Sequence, residues 1–424
     1  MFKKILFVLI TSALILSACA AQTPEPVDPP EPDTPTETIG EVAEPEPEPD
    51  PSIDRMPCTT VFDYQTTTET DQLQAVVDQL PPVTGEDWIK GDPNAPITVI
   101  EYADFQCPAC VNFAAYMHAL MEEFPNSIRH VFRHFPLPSP SDRSVVAAMA
   151  SEAAGAQEKF WEMHDLLLQN QAQWRGLSDD QFLEWVVTQA DVLGLDLDQF
   201  ENDLQDSAAR AALEEQAQAA LNLGVNYTPF VAVNDRIFRD NRPDLFSLIG
   251  IHEFGGSQTC PPWVIDPDGT YTARLDTSAG EIEFQLYADV APLAVNSFVF
   301  LAEIGWFDQV FFHRVIPGFV AQAGDPSGLG MIGPGYKFDN ETDNDLSFDR
   351  PGVLGMANAG VNTNGSQFFI TLAAVTNLDG DYTIFGEVSP DSLNIINEIA
   401  ARDPQTAIGF EDATVINGIE IITE

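Results

Sequence analysis

Basic side chains are scarce in this chain: 18 lysines and arginines stand against 66 aspartates and glutamates, a formal net charge of −48. Proteins that bind nucleic acid carry basic stripes, so that function class is excluded, as is electrostatic docking on anionic lipid. The carboxylate excess implies solubility, or a salty or acidic exterior that screens or titrates the repulsion. Histidines number only six, and none forms a metal box. Of the five cysteines only two lie close in sequence, whereas a four-cysteine zinc site usually draws on two close pairs. The Gly-rich stretch 328–336 lacks the Lys-Ser/Thr ending of a phosphate loop and reads as connecting loops. No metal and no cofactor are expected.

The leading apolar run, residues 5–16, follows Lys3 and Lys4 and is twelve residues long. A helical span needs about 20, so the run reads as a secretory signal peptide over 1–18. Its end, Leu16-Ser17-Ala18-Cys19, resembles the lipobox of bacterial lipoproteins. That resemblance implies cleavage before Cys19 and a diacylglycerol on its sulfur, and two or more acyl chains anchor stably. Residues 19–54 are dominated by proline and glutamate and lack aromatics, so they cannot bury enough apolar surface to order themselves. Proline and like charge favour an extended spacer between membrane and folded chain; a tail for a Pro-binding partner is the other reading.

At 424 residues the chain is too long for one ordinary core. After an extension over 55–81, a first domain is expected at 82–256. Residues 95–105 form an apolar, β-branched run that reads as a buried strand, leading to "FQCPAC". Past it, Phe113, Met117, Leu120, Met121 and Phe124 recur at helical spacing. Cys110 falls on the apolar stripe of that helix and Cys107 at its N-terminal tip. Unpaired amides and the helix dipole there favour a thiolate, so Cys107 is the candidate nucleophile and Cys110 the shielded resolving thiol. Pro108 suits the first turn. A static disulfide without turnover is the plainer reading of the pair. A strand at 127–137, a helical stretch at 141–223 and a strand at 224–238 complete the lobe.

This order, with "FQCPAC", "FRHFPL" and "TPF", resembles the thioredoxin fold, and more narrowly the DsbA-like disulfide oxidoreductases with their helical insertion. The resemblance implies that Pro229, after Thr228, is a cis-proline facing the thiols, where a client strand docks. Strongly oxidising members carry a histidine where this chain has Ala109. With Glu101 and Asp104 nearby, a less depressed Cys107 pKa and a less oxidising couple are expected. His130 and His134 are expected to serve packing or surface roles. Lipid on Cys19 leaves four cysteines; beside the Cys107–Cys110 pair, Cys58 and Cys260 are expected to form a structural disulfide in an oxidising compartment.

A short linker, 257–269, leads to a second domain at 270–424. Two alternating strands turn at 278–280, residues 292–305 read as a helix, a second helix is expected at about 391–400, and the last strand lies near the C-terminus. Many short strands with two helices suggest a closed barrel capped at its ends. "FFHRVIPGFVAQAGDP" and "GMANAGVNTNGSQFFITL" resemble the cyclophilin family over essentially this whole domain. The resemblance implies a peptidyl-prolyl cis-trans isomerase with Arg314 catalytic. It implies that Phe319, Phe369 and Leu378 line the proline pocket, and that Gln322, Asn358 and Gln367 handle the peptide backbone. His313 is expected to be structural. Asn377, Tyr382 and Val320 depart from the residues common in the family and bear on cyclosporin sensitivity and peptide preference.

The expected architecture is thus multidomain: an α/β thioredoxin-like domain with a helical insertion, then a mainly-β cyclophilin-like closed barrel with two capping helices. The expected function is an extracytoplasmic, membrane-anchored folding factor. It would act on exported proteins that contain proline and cysteine, together with an unidentified redox partner. A peptide-binding holdase or scaffold with a dedicated thiol reductase domain is the alternative.

Overall fold

The computed structural model describes residues 54–61, 68–137, 143–238, 242–404, 407 and 409–423. Cys19, the leader and nearly all of the acidic linker lie outside the described residues.

Strand β1 (Thr59–Thr60) and helix α1 (Thr68–Val77) precede the first lobe. Its strands are β2 (Trp88–Gly91), β3 (Ile97–Ala103), β4 (Ile128–His134), β5 (Phe230–Val233) and β6 (Arg236–Phe238), in the sheet order β2-β4-β3-β5-β6. Only β3 and β4 are parallel, and helix α2 (Pro108–Glu123) makes the crossover between them. Ile97, Val99, Ile128 and Val131 are fully buried in those two strands, as β-branched residues in a covered parallel pair should be. Helix α2 buries Cys110, Phe113, Met117 and Leu120, one stripe at three- and four-residue spacing.

The expected helical stretch resolves into six helices: α3 (Arg143–Gly155), α4 (Phe160–Gln169), α5 (Gln171–Trp174), α6 (Asp179–Val192), α7 (Leu197–Leu204) and α8 (Ser207–Leu223). Local chemistry sets the breaks. Ser178 and Gln181 form a capping box at the start of α6, Asp196 and Asp206 cap α7 and α8, and Gly224 ends α8 at φ 108°. Helix α9 (Arg242–Phe254) closes the lobe.

The second lobe contains β7 (Tyr271–Thr277), β8 (Gly280–Leu286), α10 (Pro292–Glu303), β9 (Val310–Phe311), β10 (Arg314–Val315), β11 (Val320–Ala323), β12 (Tyr336–Lys337), β13 (Val353–Met356), β14 (Phe368–Thr371), β15 (Ile384–Val388) and β16 (Val415–Thr423). Nine of these strands form one antiparallel sheet in the order β10-β11-β14-β13-β15-β8-β7-β16-β9. The expected closed barrel is instead a curled, open half-barrel. Its edge strands β9 and β10 are two residues each, and no ladder joins them among the described residues. Their neighbourhood is committed elsewhere: the Phe312 amide donates to Thr414, and Val315 exchanges backbone bonds with Arg402. The expected second capping helix is also corrected, to two 3-10 turns, Pro390–Ser392 and Ile395–Asn397. Ser392, Asn394, Asn397 and the adjacent β-branched Ile395 and Ile396 are weak helix formers.

The lobes share a continuous apolar core that runs from Val99 and Leu120 through Leu248 and Ile251 to Tyr336 and Phe298. Strand β1 pairs with β12, reaching from ahead of the first lobe into the second. Cys58 and Cys260 are joined by a disulfide across a separation of 202 residues. The connection between the lobes is pinned as well: the Val264 amide donates to Asn296 Oδ1 at 2.8 Å, and Asn296 Nδ2 donates to the Pro262 carbonyl at 2.9 Å.

Because the disulfide closes so long a loop, the double variant Cys58→Ser/Cys260→Ser is expected to lose about 2–4 kcal/mol of stability. Chemical denaturation of both proteins checks this, and equal midpoints would contradict it.

Candidate active sites

Cys107 is the N-cap residue of α2, and Pro108 occupies the first turn. No side chain caps this helix start, which leaves its amides to the sulfur. Cys107 is half-buried, Cys110 is buried, and both are free thiols. The Cys107 thiol donates to the Thr228 carbonyl oxygen at 3.2 Å, and the Thr228–Pro229 peptide is cis, so the proline loop lies against the thiols.

The hydrogen bond from Cys110 pulls the Cys107 pKa down to about 6; desolvation opposes it, and the Thr228 side chain and the amides of Cys110 and Ala109 assist. Cys110 is pushed far up, first by burial, then by its bond to Cys107 and the negative charge of Glu101. Among the carboxylates near the pair, Glu101 acts on the buried partner Cys110, raising its pKa. Asp104 is occupied structurally. It accepts from the Gln106 amide at 2.7 Å, the Leu137 amide at 2.9 Å and the Ser144 hydroxyl at 2.9 Å. It thereby holds the turn before Cys107 onto α3 and onto the segment after β4.

Three contacts were not legible in the sequence. Glu101 is only 1% exposed and meets His130 Nε2 at 3.0 Å across β3 and β4. Deeper on α4, burial pushes the His164 pKa down, against the Asp165 carboxylate 2.9 Å from its Nδ1. His134 meets Glu152 at 2.9 Å, so both strand histidines are interior and partnered by carboxylates. Their alternation on β4 was the available sign, since positions 128, 130, 132 and 134 share one face.

On the second lobe Arg314 starts β10 and lies opposite Gln322 of β11, which lies opposite Phe369 of β14. The Arg314 guanidinium carbon sits 5.4 Å from the Phe319 ring centroid. Gln322 Nε2 donates to Gln367 Oε1 at 3.0 Å, fixing both amides beside the cation. Phe319, Phe369 and Leu378 belong to one apolar cluster, with Tyr382 edge-on to Phe369 at 5.7 Å and Val320 buried in its floor. Asn377 is exposed on the Thr376–Leu378 turn. Asn358 is anchored through its Nδ2 to the Asp381 carbonyl at 3.1 Å and shares a cavity of about 200 Å³ with Gln322 and Gln367. The structure thus gathers the seven expected residues into a cation, an apolar hollow and a polar rim.

His313 is buried, and burial pushes its pKa down, opposed by the Asp325 carboxylate and aided by Arg314 and Arg402. The Gly-rich loop wraps a carboxylate: Asp325 accepts from the amides of Ser327 at 2.8 Å, Met331 at 2.7 Å and Ile332 at 3.0 Å.

Comparison with known proteins agrees with this division. Residues 272–421 match the family model described as cyclophilin type peptidyl-prolyl cis-trans isomerase/CLD, and residues 83–248 match the model described as thioredoxin. The chain is 54% identical over 118 residues to peptidyl-prolyl cis-trans isomerase ppi1 of Schizosaccharomyces pombe, covering 27% of this chain and 76% of that protein. It is 40% identical over 178 residues to peptidyl-prolyl cis-trans isomerase A of Mycobacterium tuberculosis, covering 38% of this chain and 98% of that protein. The chain belongs to the cyclophilin-type peptidyl-prolyl cis-trans isomerase family, and it joins that domain to a thioredoxin-fold domain.

The acidity of Cys107 sets a measurable threshold. Alkylation of the reduced protein by iodoacetamide is expected to accelerate as pH rises through about 6 and to level off above, because the thiolate is the nucleophile. Peptide mapping should place the label on Cys107 and spare Cys110; a midpoint near that of a free thiol would refute the arrangement.

Proposed function

We propose that this chain is an extracytoplasmic, lipid-anchored folding factor with two active centres, one exchanging disulfides and one turning prolyl bonds in exported clients. The observation that carries the thiol half is the pairing of a half-buried, acidic Cys107 with a buried, poorly acidic Cys110 against the Thr228–Pro229 loop.

With the pair oxidised, a client thiolate attacks the Cys107 sulfur, and Cys110 leaves as a thiolate that takes up a proton. A second client thiolate then attacks the client sulfur of the mixed disulfide and expels Cys107 as a thiolate. Two electrons pass from client to protein. The reduced pair runs the same steps backwards, with Cys107 attacking a client disulfide and Cys110 resolving. A thiol with a pKa near 6 leaves readily, which favours the reduced form of the pair. Pro229 lacks an amide N–H, leaving a backbone edge for a client strand.

For the isomerase half, rotation about X-Pro loses amide resonance, a barrier of about 18–20 kcal/mol. In the twisted state the proline nitrogen becomes pyramidal and basic. Arg314, permanently charged and held beside Gln322, donates to that lone pair, while Phe319, Phe369 and Leu378 grip the ring. The guanidinium favours the twisted state over both planar ones, which is differential binding. Each of these residue roles is part of the proposal.

Arg314→Ala is expected to cut isomerisation of a proline peptide by about 10²-fold, the scale for losing one preorganised donor. Cys107→Ser is expected to abolish thiol exchange with a small disulfide. Equal isomerisation by wild type and Arg314→Ala would favour the holdase or scaffold reading instead. For the anchor, the full chain expressed in a bacterial host is expected in the membrane fraction, and Cys19→Ser is expected to move it to the soluble extracytoplasmic fraction. An unchanged distribution would remove the lipid from the proposal.

A further inference from the structure

The cavity shared by Gln322, Asn358 and Gln367 is not built by the isomerase lobe alone. One of its walls is the segment from Gly330 to Lys337, and Ser247 of α9, from the thioredoxin-fold lobe, lines it as well. The first lobe grips that wall from behind. A Cβ on Gly250 of α9 would overlap the Gly333 carbonyl oxygen and press on Ile332, so helix and wall touch backbone to backbone. Gly335, at φ 96°, has no room for a side chain against the Ser257 carbonyl and Ile251. The Ser257 amide donates to the Pro334 carbonyl at 2.8 Å, and the Val61 amide donates to the Gly335 carbonyl at 2.9 Å. On the cavity side Gly333 is open: a Cβ there would meet only the Ser247 hydroxyl, at 3.9 Å.

We propose that α9 of the thioredoxin-fold lobe forms part of the isomerase's peptide groove, with Ser247 a specificity-determining residue that sets how large a client side chain the groove accepts beside the proline. The proposal rests on the isomerase reading above for the position of the proline. The occupant is one large uncharged side chain. The cavity of about 200 Å³ holds a leucine, and small or apolar residues such as Gly330, Ile332, Gly333, Ala357 and Gly365 line it. It is contiguous with the Gln322–Gln367 pair beside Arg314, so a peptide whose proline lies in the apolar hollow places a flanking residue there. Client choice by the isomerase is thereby written partly in the redox lobe.

The test uses the folded chain and peptides with one proline, with leucine or alanine placed in turn at the two positions on either side of it. Wild type is expected to prefer leucine at one position by about tenfold in kcat/KM, the scale of seating one leucine side chain. Ser247→Leu, which fills the cavity from the first lobe, is expected to bring that ratio to about one. Gly333→Val fills the same space from the isomerase side and should do likewise, which keeps the question decidable if one variant fails to fold by circular dichroism. Unchanged leucine-to-alanine ratios in the folded variants, or no preference in wild type, overturn the proposal. Fluorescence anisotropy with the same peptides reads the groove without turnover. A binding preference that Ser247→Leu erases, in a protein that does not isomerise, would sink the isomerase reading and leave this one standing.

Discussion

The molecule turns on a contact in which no side chain intervenes: the backbone of α9 at Gly250 against the carbonyl of Gly333. Only glycine permits an approach this close, and the approach makes one apolar core out of two lobes. Replacing Gly250 with a larger residue would push α9 off the second lobe and separate Leu248 and Ile251 from Ile332 and Tyr336. Strand β1 and the Cys58–Cys260 bridge brace the same wall from the far side of the chain. The thiol pair and the isomerase groove are therefore carried on one packed body, and the segment between the lobes is fixed by Asn296 rather than left as a swinging tether. On the proposed function, a client engaged at both sites would meet a set spacing, so geometry as well as effective concentration would decide which clients are served twice.

Within each lobe the chemistry is arranged by separating like from unlike. At the thiol centre, depth does the sorting: the same helix start that exposes Cys107 to free amides buries Cys110 one turn on, where desolvation and Glu101 hold its proton. The negative charge near the pair thus raises the pKa of the buried Cys110 thiol and leaves Cys107 acidic. Pairing Glu101 with His130 keeps that carboxylate in a buried place that would otherwise cost several kcal/mol. At the isomerase centre, the cation is flanked by amide and aromatic groups. Gln322 and Gln367 are bound to each other, the adjacent His313 is pushed toward its neutral form, and the Phe319 face lies against the guanidinium.

What the sequence made legible divides along the range of the interactions. Strand β3, the α2 stripe and the Cys107 tip follow from periodicity and caps within about twenty residues, and they were read correctly. Helices α3 to α8 read as one stretch in the sequence, although Ser178, Asp196 and Asp206 mark the starts of the last three, because an alanine- and glutamine-rich background hides short caps. The supposed helix near residue 395 shows the opposite error. Apolar spacing was present, but asparagine, serine and paired isoleucines left only 3-10 turns. The open half-barrel was out of reach for a different reason. Whether β9 and β10 close a ring depends on backbone groups engaged by Arg402 and Thr414, about a hundred residues away. The site residues drawn from motif resemblance were found together, while the partners that tune them, His130 on Glu101 and Ser144 on Asp104, carry no local signature.

The acidity of the chain fits this picture in one more respect. With 66 carboxylates and 18 basic residues, any basic side chain placed near a client site is costly to keep free, since a nearby carboxylate can claim it. Arg133 shows the ordinary fate, with its guanidinium bound to Asp87, Tyr102 and two proline carbonyls. Arg350 is likewise held between Asp349 and Glu387. Around Arg314 the sequence places glutamines, phenylalanines and an asparagine where acids are common elsewhere. In the role proposed for it, acting on a neutral peptide nitrogen, Arg314 would have to be kept from its natural counter-ions. The amide and aromatic lining of the groove achieves that by composition, independently of whichever client enters it.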